Sequence, residues 1–117
     1  MDNDFRPSCI EEGFLYLGSA ESRRDSRVLA TELKVTDIFD LSTVKDLPQL
    51  DGMTVHTYNV LDRAAADITS VIRHAIPLMA SVEERKGCVL VHCRHGVSRS
   101  ASVIIGFLMM QRGMTLH

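Results

Sequence analysis

The sequence predicts an α/β fold in which a central, mostly parallel twisted sheet is flanked by helices, and three observations lead to it. Cys88-Val-Leu-Val-His92 is short and nearly continuous in apolar character, as expected of a strand buried on both faces of a parallel sheet. Ahead of it, Ile68, Val71, Ile72, Ala75, Ile76, Met79 and Val82 recur at three- and four-residue spacing, which makes one buried helical face. Strand-like and helix-like segments alternate along the chain, the pattern of a layered α/β architecture.

In order, residues 10–18 read as a short strand flanked by glycines, and residues 19–33 as a charged amphipathic helix. Residues 35–41 form a second strand. Residues 53–60, rich in β-branched side chains, form a third, after a loop containing Pro48 and Gly52. Asp67 is placed as the N-cap of the next helix. Pro77 removes a backbone donor inside that pattern and predicts a kink or break near Ala75, while Gly87 ends the element. The buried strand 88–92 follows. Residues 100–111 are apolar almost all round, which describes a helix packed inside the domain, with Met109 and Met110 as core filling.

The 117 residues are 45% hydrophobic and 24% charged. They predict a single domain over 1–117 that folds without disulfides or a structural metal. A net charge of -2 gives no broad basic field, so neither nucleic acid nor a membrane surface is expected as a partner. The longest uncharged stretch, 100–111, falls short of the ~18 to 20 apolar residues of a membrane span. Met1 is followed by Asp2 and Asp4 with no apolar run, which predicts a cytoplasmic protein, with the nucleus as the second compartment open to it. Cys9, Cys88 and Cys93 show no C-x-x-C pair and no zinc spacing, so reduced thiols are expected. Cys88 and Cys93 are placed on opposite faces of their strand, which argues against a disulfide between them.

The chemistry lies between the buried strand and the buried helix, in His92-Cys93-Arg94-His95-Gly96-Val97-Ser98-Arg99-Ser100. A turn that leaves a central strand and enters a helix directs successive backbone N–H groups, and the positive helix end, at one point, which suits a dianion. Gly96 permits the close-fitting backbone, and Arg99 offers a planar fork to two phosphate oxygens. The same field would lower the Cys93 thiol pKa from ~8.5 into the ~3.5 to 7.5 range of activated cysteines, giving a thiolate nucleophile at neutral pH.

These residues match the Cys-x5-Arg signature of cysteine-dependent phosphatases, and from about Ile10 to Leu116 the chain resembles the dual-specificity protein phosphatases. The resemblance includes Leu15-Tyr16-Leu17-Gly18-Ser19, the aspartate loop Val60-Leu61-Asp62 with Asp67-Ile68, and Val89 through Met110. It implies a two-step reaction through a phosphocysteine, with Cys93 as nucleophile and Ser100 as donor to the departing thiolate. Arg99 and the amides of Arg94, His95, Gly96, Val97 and Ser98 would hold the phosphoryl oxygens. Asp62 would be the general acid and then the base, although Asp67, better explained as an N-cap, competes for that role. His92 would support the loop. The remaining histidines His56, His74 and His117 have no spacing that suggests a site. The resemblance implies a phosphoprotein substrate, phosphotyrosine or phosphoserine/phosphothreonine, and no metal or cofactor.

Two departures from the family pattern stand out. Asp40 lies where the family often carries Asn, and an ionised carboxylate there would raise the Cys93 pKa. The chain also reads as C-terminally short: Gly113 stops a helix, Thr115 would cap another, and the sequence ends at His117. Apolar surface on the 100–110 helix is therefore expected to be left uncovered, with self-association as a consequence. Two alternatives stay open: a weak or inactive module that captures phosphoproteins, and an RNA 5'-triphosphatase, which Cys93-Arg94-His95-Gly96 echoes.

Overall fold

The computed structural model describes residues 6–42, 44, 47, 48, 50–58, 65–94 and 98–114, with the backbone alone at 65–67 and 98. The strands are β1 (Ser8–Glu11), β2 (Leu15–Ser19), β3 (Asp37–Asp40), β4 (Thr54–Thr57) and β5 (Val89–Cys93). The helices are α1 (Ala20–Arg23), α2 (Ala65–Glu84) and α3 (Ser98–Arg112), with a π-helical turn at Val28–Glu32. One sheet runs in the order β1-β2-β5-β3-β4. Only the β1/β2 pairing is antiparallel; β2, β5, β3 and β4 are mutually parallel. The predicted fold class is therefore the one observed, with β5 between β2 and β3.

Every residue of β5 is buried, because alternate side chains enter two different cores. Val89, Val91 and Cys93 join Val71, Ala75, Ile76 and Met79 of α2 and Val103, Ile104 and Phe107 of α3. Leu90 points the other way, onto Tyr16, Leu29, Val35, Ile38 and Cys88. Cys88 and Cys93 thus fall in separate clusters, on opposite sides of the sheet as the strand geometry predicts. Arg112 closes the far end of α3, bonded to Glu11 at 2.8 Å and Glu83 at 2.6 Å and lying over the Phe107 ring.

Several elements differ from the sequence reading. Residues 10–18 are not one strand: Gly13, with φ at 80°, turns the chain so that β1 folds back on β2. Residues 19–33 are not one helix, since α1 has four residues and the Asp25 carboxylate accepts from the Val28 amide at 3.2 Å to start a fresh turn. α2 begins at Ala65, so Asp67 is its third residue and not its N-cap. α2 also runs unbroken through Pro77. Pro77 is exposed, as is Arg73 one turn earlier, so the backbone bond that proline cannot make falls on the solvent side of the helix.

Gly87 does not make the left-handed stop of α2, which falls on Lys86 with φ at 63°. A glycine is required there by close packing, because a Cβ would meet the Thr36 hydroxyl at 2.6 Å and Val82 at 2.7 Å. α3 buries one side only: Ile105, Met109 and Met110 are exposed, Met110 by 71%, so the methionine pair is surface and not core filling. Among the described residues no helix is long and apolar enough to cross a membrane.

At the N-terminal end of the parallel strands, Asp37 is buried and draws three donors. Arg85 reaches it at 2.6 Å, Thr36 at 2.8 Å and the His56 ring at 3.0 Å, with His56 itself stacked on Phe39 at 4.4 Å. Burial works to raise the carboxyl pKa, but the hydrogen bonds from His56, Thr36 and Arg85, together with the Arg85 charge, outweigh it and hold it below its ordinary value. A depressed folded pKa contributes stability that is full above the unfolded value of about 3.9 and is lost as pH falls through the folded one. We predict that Asp37→Asn lowers stability at pH 7 by about 1–3 kcal/mol. In urea unfolding followed from pH 7 to pH 2, the parent should lose more stability below about pH 4 than the variant does.

Candidate active site

The cysteine of the predicted motif stands where β5 ends. Ser19 pairs with Cys93 on one side, and on the other Asp40 pairs with His92. The chain is pinned on leaving the sheet: Leu41 donates to the His92 carbonyl at 2.8 Å, and Ala20 to the Arg94 carbonyl at 3.4 Å. Ser19 in turn caps α1 in a reciprocal box with Ser22, so the start of α1 is fixed beside the cysteine.

Cys93 is 4% exposed and Ser100 fully buried. The Ser100 hydroxyl donates to the Cys93 Sγ at 3.3 Å. α3 starts at Ser98, which puts Ser100 inside the first turn with its hydroxyl turned to the sulfur. Arg99 is half-buried in the same turn and Arg94 is exposed. The structure therefore brings Cys93, Arg94, Arg99 and Ser100 to one strand-to-helix junction. His95, Gly96, Val97 and the Ser98 side chain lie outside the described residues, as does Asp62. β4 does lead to the same end of the sheet, where the Tyr58 amide donates to the Asp40 carbonyl at 2.9 Å, and Tyr58 joins its hydroxyl to His74 of α2 at 2.8 Å.

Behind the cysteine lies a polar cluster that sequence reasoning found only in part. Asp40 is buried and paired with Arg23, whose guanidinium reaches Oδ2 at 2.8 Å; the two side chains are 5% and 6% exposed. The other oxygen, Oδ1, accepts from the Ser42 amide at 2.8 Å and the Ser42 hydroxyl at 2.7 Å. Arg23 also donates to the Pro48 carbonyl at 3.0 Å. The Asp40 carboxylate is thus not isolated but paired. Arg23 reads from the sequence as part of a charged amphipathic helix; the signal for its burial was Asp40 itself, a carboxylate at the end of an apolar strand that needs a cation.

His92 is fully buried, with its Nε2 3.7 Å from Asp40 Oδ1. Burial pushes its pKa down; the Asp40 carboxylate opposes this, the Arg23 charge reinforces it, and a hydrogen bond to the Cys93 backbone opposes it weakly, so that burial prevails. A neutral imidazole results. The pair beneath it is costly to break from one side, since removing one partner of a buried pair costs about 3–5 kcal/mol while replacing both is often close to neutral.

Residues 15–117 match the family model described as the dual specificity phosphatase catalytic domain. The chain is 39% identical over 108 residues to dual specificity protein phosphatase 4 of Gallus gallus, covering 89% of this chain and 28% of that one. It is 31% identical over 114 residues to dual specificity protein phosphatase 1 of Arabidopsis thaliana, covering 97% of this chain and 57% of that one. The chain thus spans little more than half, or less, of these curated relatives. The crystal structure of human DUSP28 superposes with a TM-score of 0.78 at 31% identity, over 86% of this chain and 68% of that one.

The hydroxyl on the sulfur yields a prediction. A donor to a thiolate favours the charged form, so Ser100→Ala should raise the pKa of Cys93 alkylation by about half a unit or more. The rate of carboxamidomethylation of the Cys93 peptide, followed against pH by mass spectrometry, checks it.

Proposed function

The chain belongs to the dual specificity phosphatase family, and we propose on that premise that it is a protein phosphatase, a single catalytic domain acting through a phosphocysteine on phosphotyrosine and on phosphoserine or phosphothreonine. The observation that supports this most directly is the junction of β5 and α3, with Ser100 Oγ donating to Cys93 Sγ. A buried sulfur at a helix start, with a hydroxyl aimed at it and Arg99 in the same turn, is an arrangement for stabilising anions.

In the first step the Cys93 thiolate attacks phosphorus, the S–P bond forms and the ester P–O bond breaks. Arg99 and the amides of the 94–99 turn hold the phosphoryl oxygens. Asp62 gives its proton to the departing phenolate or alkoxide. In the second step water attacks phosphorus and gives a proton to the Asp62 carboxylate, and the S–P bond breaks. Ser100 stabilises the thiolate that leaves, and inorganic phosphate is released. His92, neutral and buried, supports the loop from behind and transfers no proton in this scheme. The substrate is a phosphoprotein, no cofactor enters the reaction, and the reading places the protein in the cytoplasm or nucleus. Exposed Ile105, Met109 and Met110 support self-association as part of the same reading.

Hydrolysis of an aryl phosphate and of phosphotyrosyl and phosphothreonyl peptides tests this. Cys93→Ser should abolish turnover and keep vanadate binding, and Arg99→Lys should be severely impaired, because an ammonium cannot reproduce the bidentate contact. Asp62→Asn should slow poor leaving groups by ~10²- to 10⁴-fold and good ones less. Tight phosphopeptide binding by the parent without turnover would favour the capture module instead, and turnover of RNA 5'-triphosphate alone would favour the triphosphatase.

A further inference from the structure

Asp40 pairs with His92 in the sheet, one residue before the reactive sulfur. Arg23 lies one turn beyond Ser19, the residue that pairs with Cys93 itself. The ion pair therefore joins the two elements that flank the end of β5, and it does so out of water, where charge acts over longer distances than at a surface. We propose that Arg23 and Asp40 are positioning residues for the reaction, a matched buried pair whose mutual cancellation lets a carboxylate sit behind Cys93 without opposing its thiolate. The inference rests on the reading of Cys93 as a thiolate nucleophile.

The surroundings make the pair the balance point. From β5 the facing titratable group is His92, held neutral by its burial and by Arg23. From α3 come Arg99 and the uncharged Ser100, and beyond β5 the exposed Arg94. From α2 the packed face near Cys93 is apolar, with Val71, Ala75 and Ile76. Asp40 is therefore the carboxylate among the described residues behind the cysteine, and Arg23 its direct counter-charge. Ser42 gives Oδ1 two hydrogen bonds while the Arg23 guanidinium takes Oδ2, so both carboxylate oxygens are engaged out of water.

The pair predicts opposite signs. Arg23→Met leaves the carboxylate uncompensated and should raise the pKa of Cys93 alkylation, and Asp40→Asn leaves the guanidinium uncompensated and should lower it. Each shift should be roughly half a unit to one unit, about three- to tenfold in thiolate at a fixed pH. Arg23→Met with Asp40→Asn should return to the parent value. Arg23→Lys, which keeps the cation and loses the fork to Pro48, should keep the parent value as well.

The measurement is alkylation rate against pH on the full chain, with the exposed Cys9 replaced by Ser and the Cys93 peptide read by mass spectrometry. Should Arg23→Met fail to fold, Asp40→Asn against the double variant still reads the sign, as a rise on removing the lone cation. Opposite shifts that cancel in the double variant support the proposal. Shifts of one sign, or none, in variants that unfold at lower temperature would show a merely structural pair and overturn it. An unshifted parent thiol near ~8.5 would instead overturn the phosphatase reading, and this inference with it.

Discussion

The burial of β5 on both faces is the constraint from which the site follows. A strand that must satisfy two cores has no freedom of register: a slip by one residue would exchange Val89, Val91 and Cys93 with Leu90 and His92 between the layers. Parallel pairing to β2 and β3 then brings the ends of three strands together at Ser19, Cys93 and Asp40. The chain leaves the sheet there and enters α3 within five residues. Position, helix field and the hydroxyl of Ser100 thus come from packing the core, before any residue is chosen for chemistry.

The same burial creates an electrostatic problem that the surrounding elements answer. His92 and Asp40 occupy adjacent strands at the sheet's C-terminal end, both out of water. One is kept neutral and the other is paired. The answer comes from α1, whose short length brings Arg23 inward and leaves Arg24 exposed. The contrast with the far end of the sheet is instructive. Asp37 is as buried as Asp40, yet one of its partners, Arg85, stays largely exposed, so that cluster acts on stability and lies away from the cysteine.

Much of this was legible in the sequence because the signals were local and redundant. The apolar run of β5, the periodic face of α2 and the glycine at 113 each carry their meaning within a few residues. The strand-to-helix junction that brings Cys93 and Ser100 together was legible for the same reason. What failed depended on distance. Residues 10–18 read as one strand because the hairpin partner lies within the same run, and α1 read as a longer helix because the inward turn of Arg23 depends on an aspartate 17 residues on. Met109 and Met110 read as core because hydrophobicity alone does not say which side of a helix finds a neighbour. Pro77 was expected to interrupt α2, but its solvent-facing position makes the lost hydrogen bond tolerable.

The central claim is that the end of β5 delivers a sulfur that becomes covalently bonded to phosphorus. Rapid acid quench of the parent during turnover of an aryl phosphate, followed by peptide mass spectrometry, tests it most directly. The account predicts a phosphoryl group on the peptide containing Cys93, formed in the first turnover and accumulating when the second step is slowed. A phosphoryl group on another residue, or turnover with no phosphorylated peptide even when the second step is slowed, would contradict it.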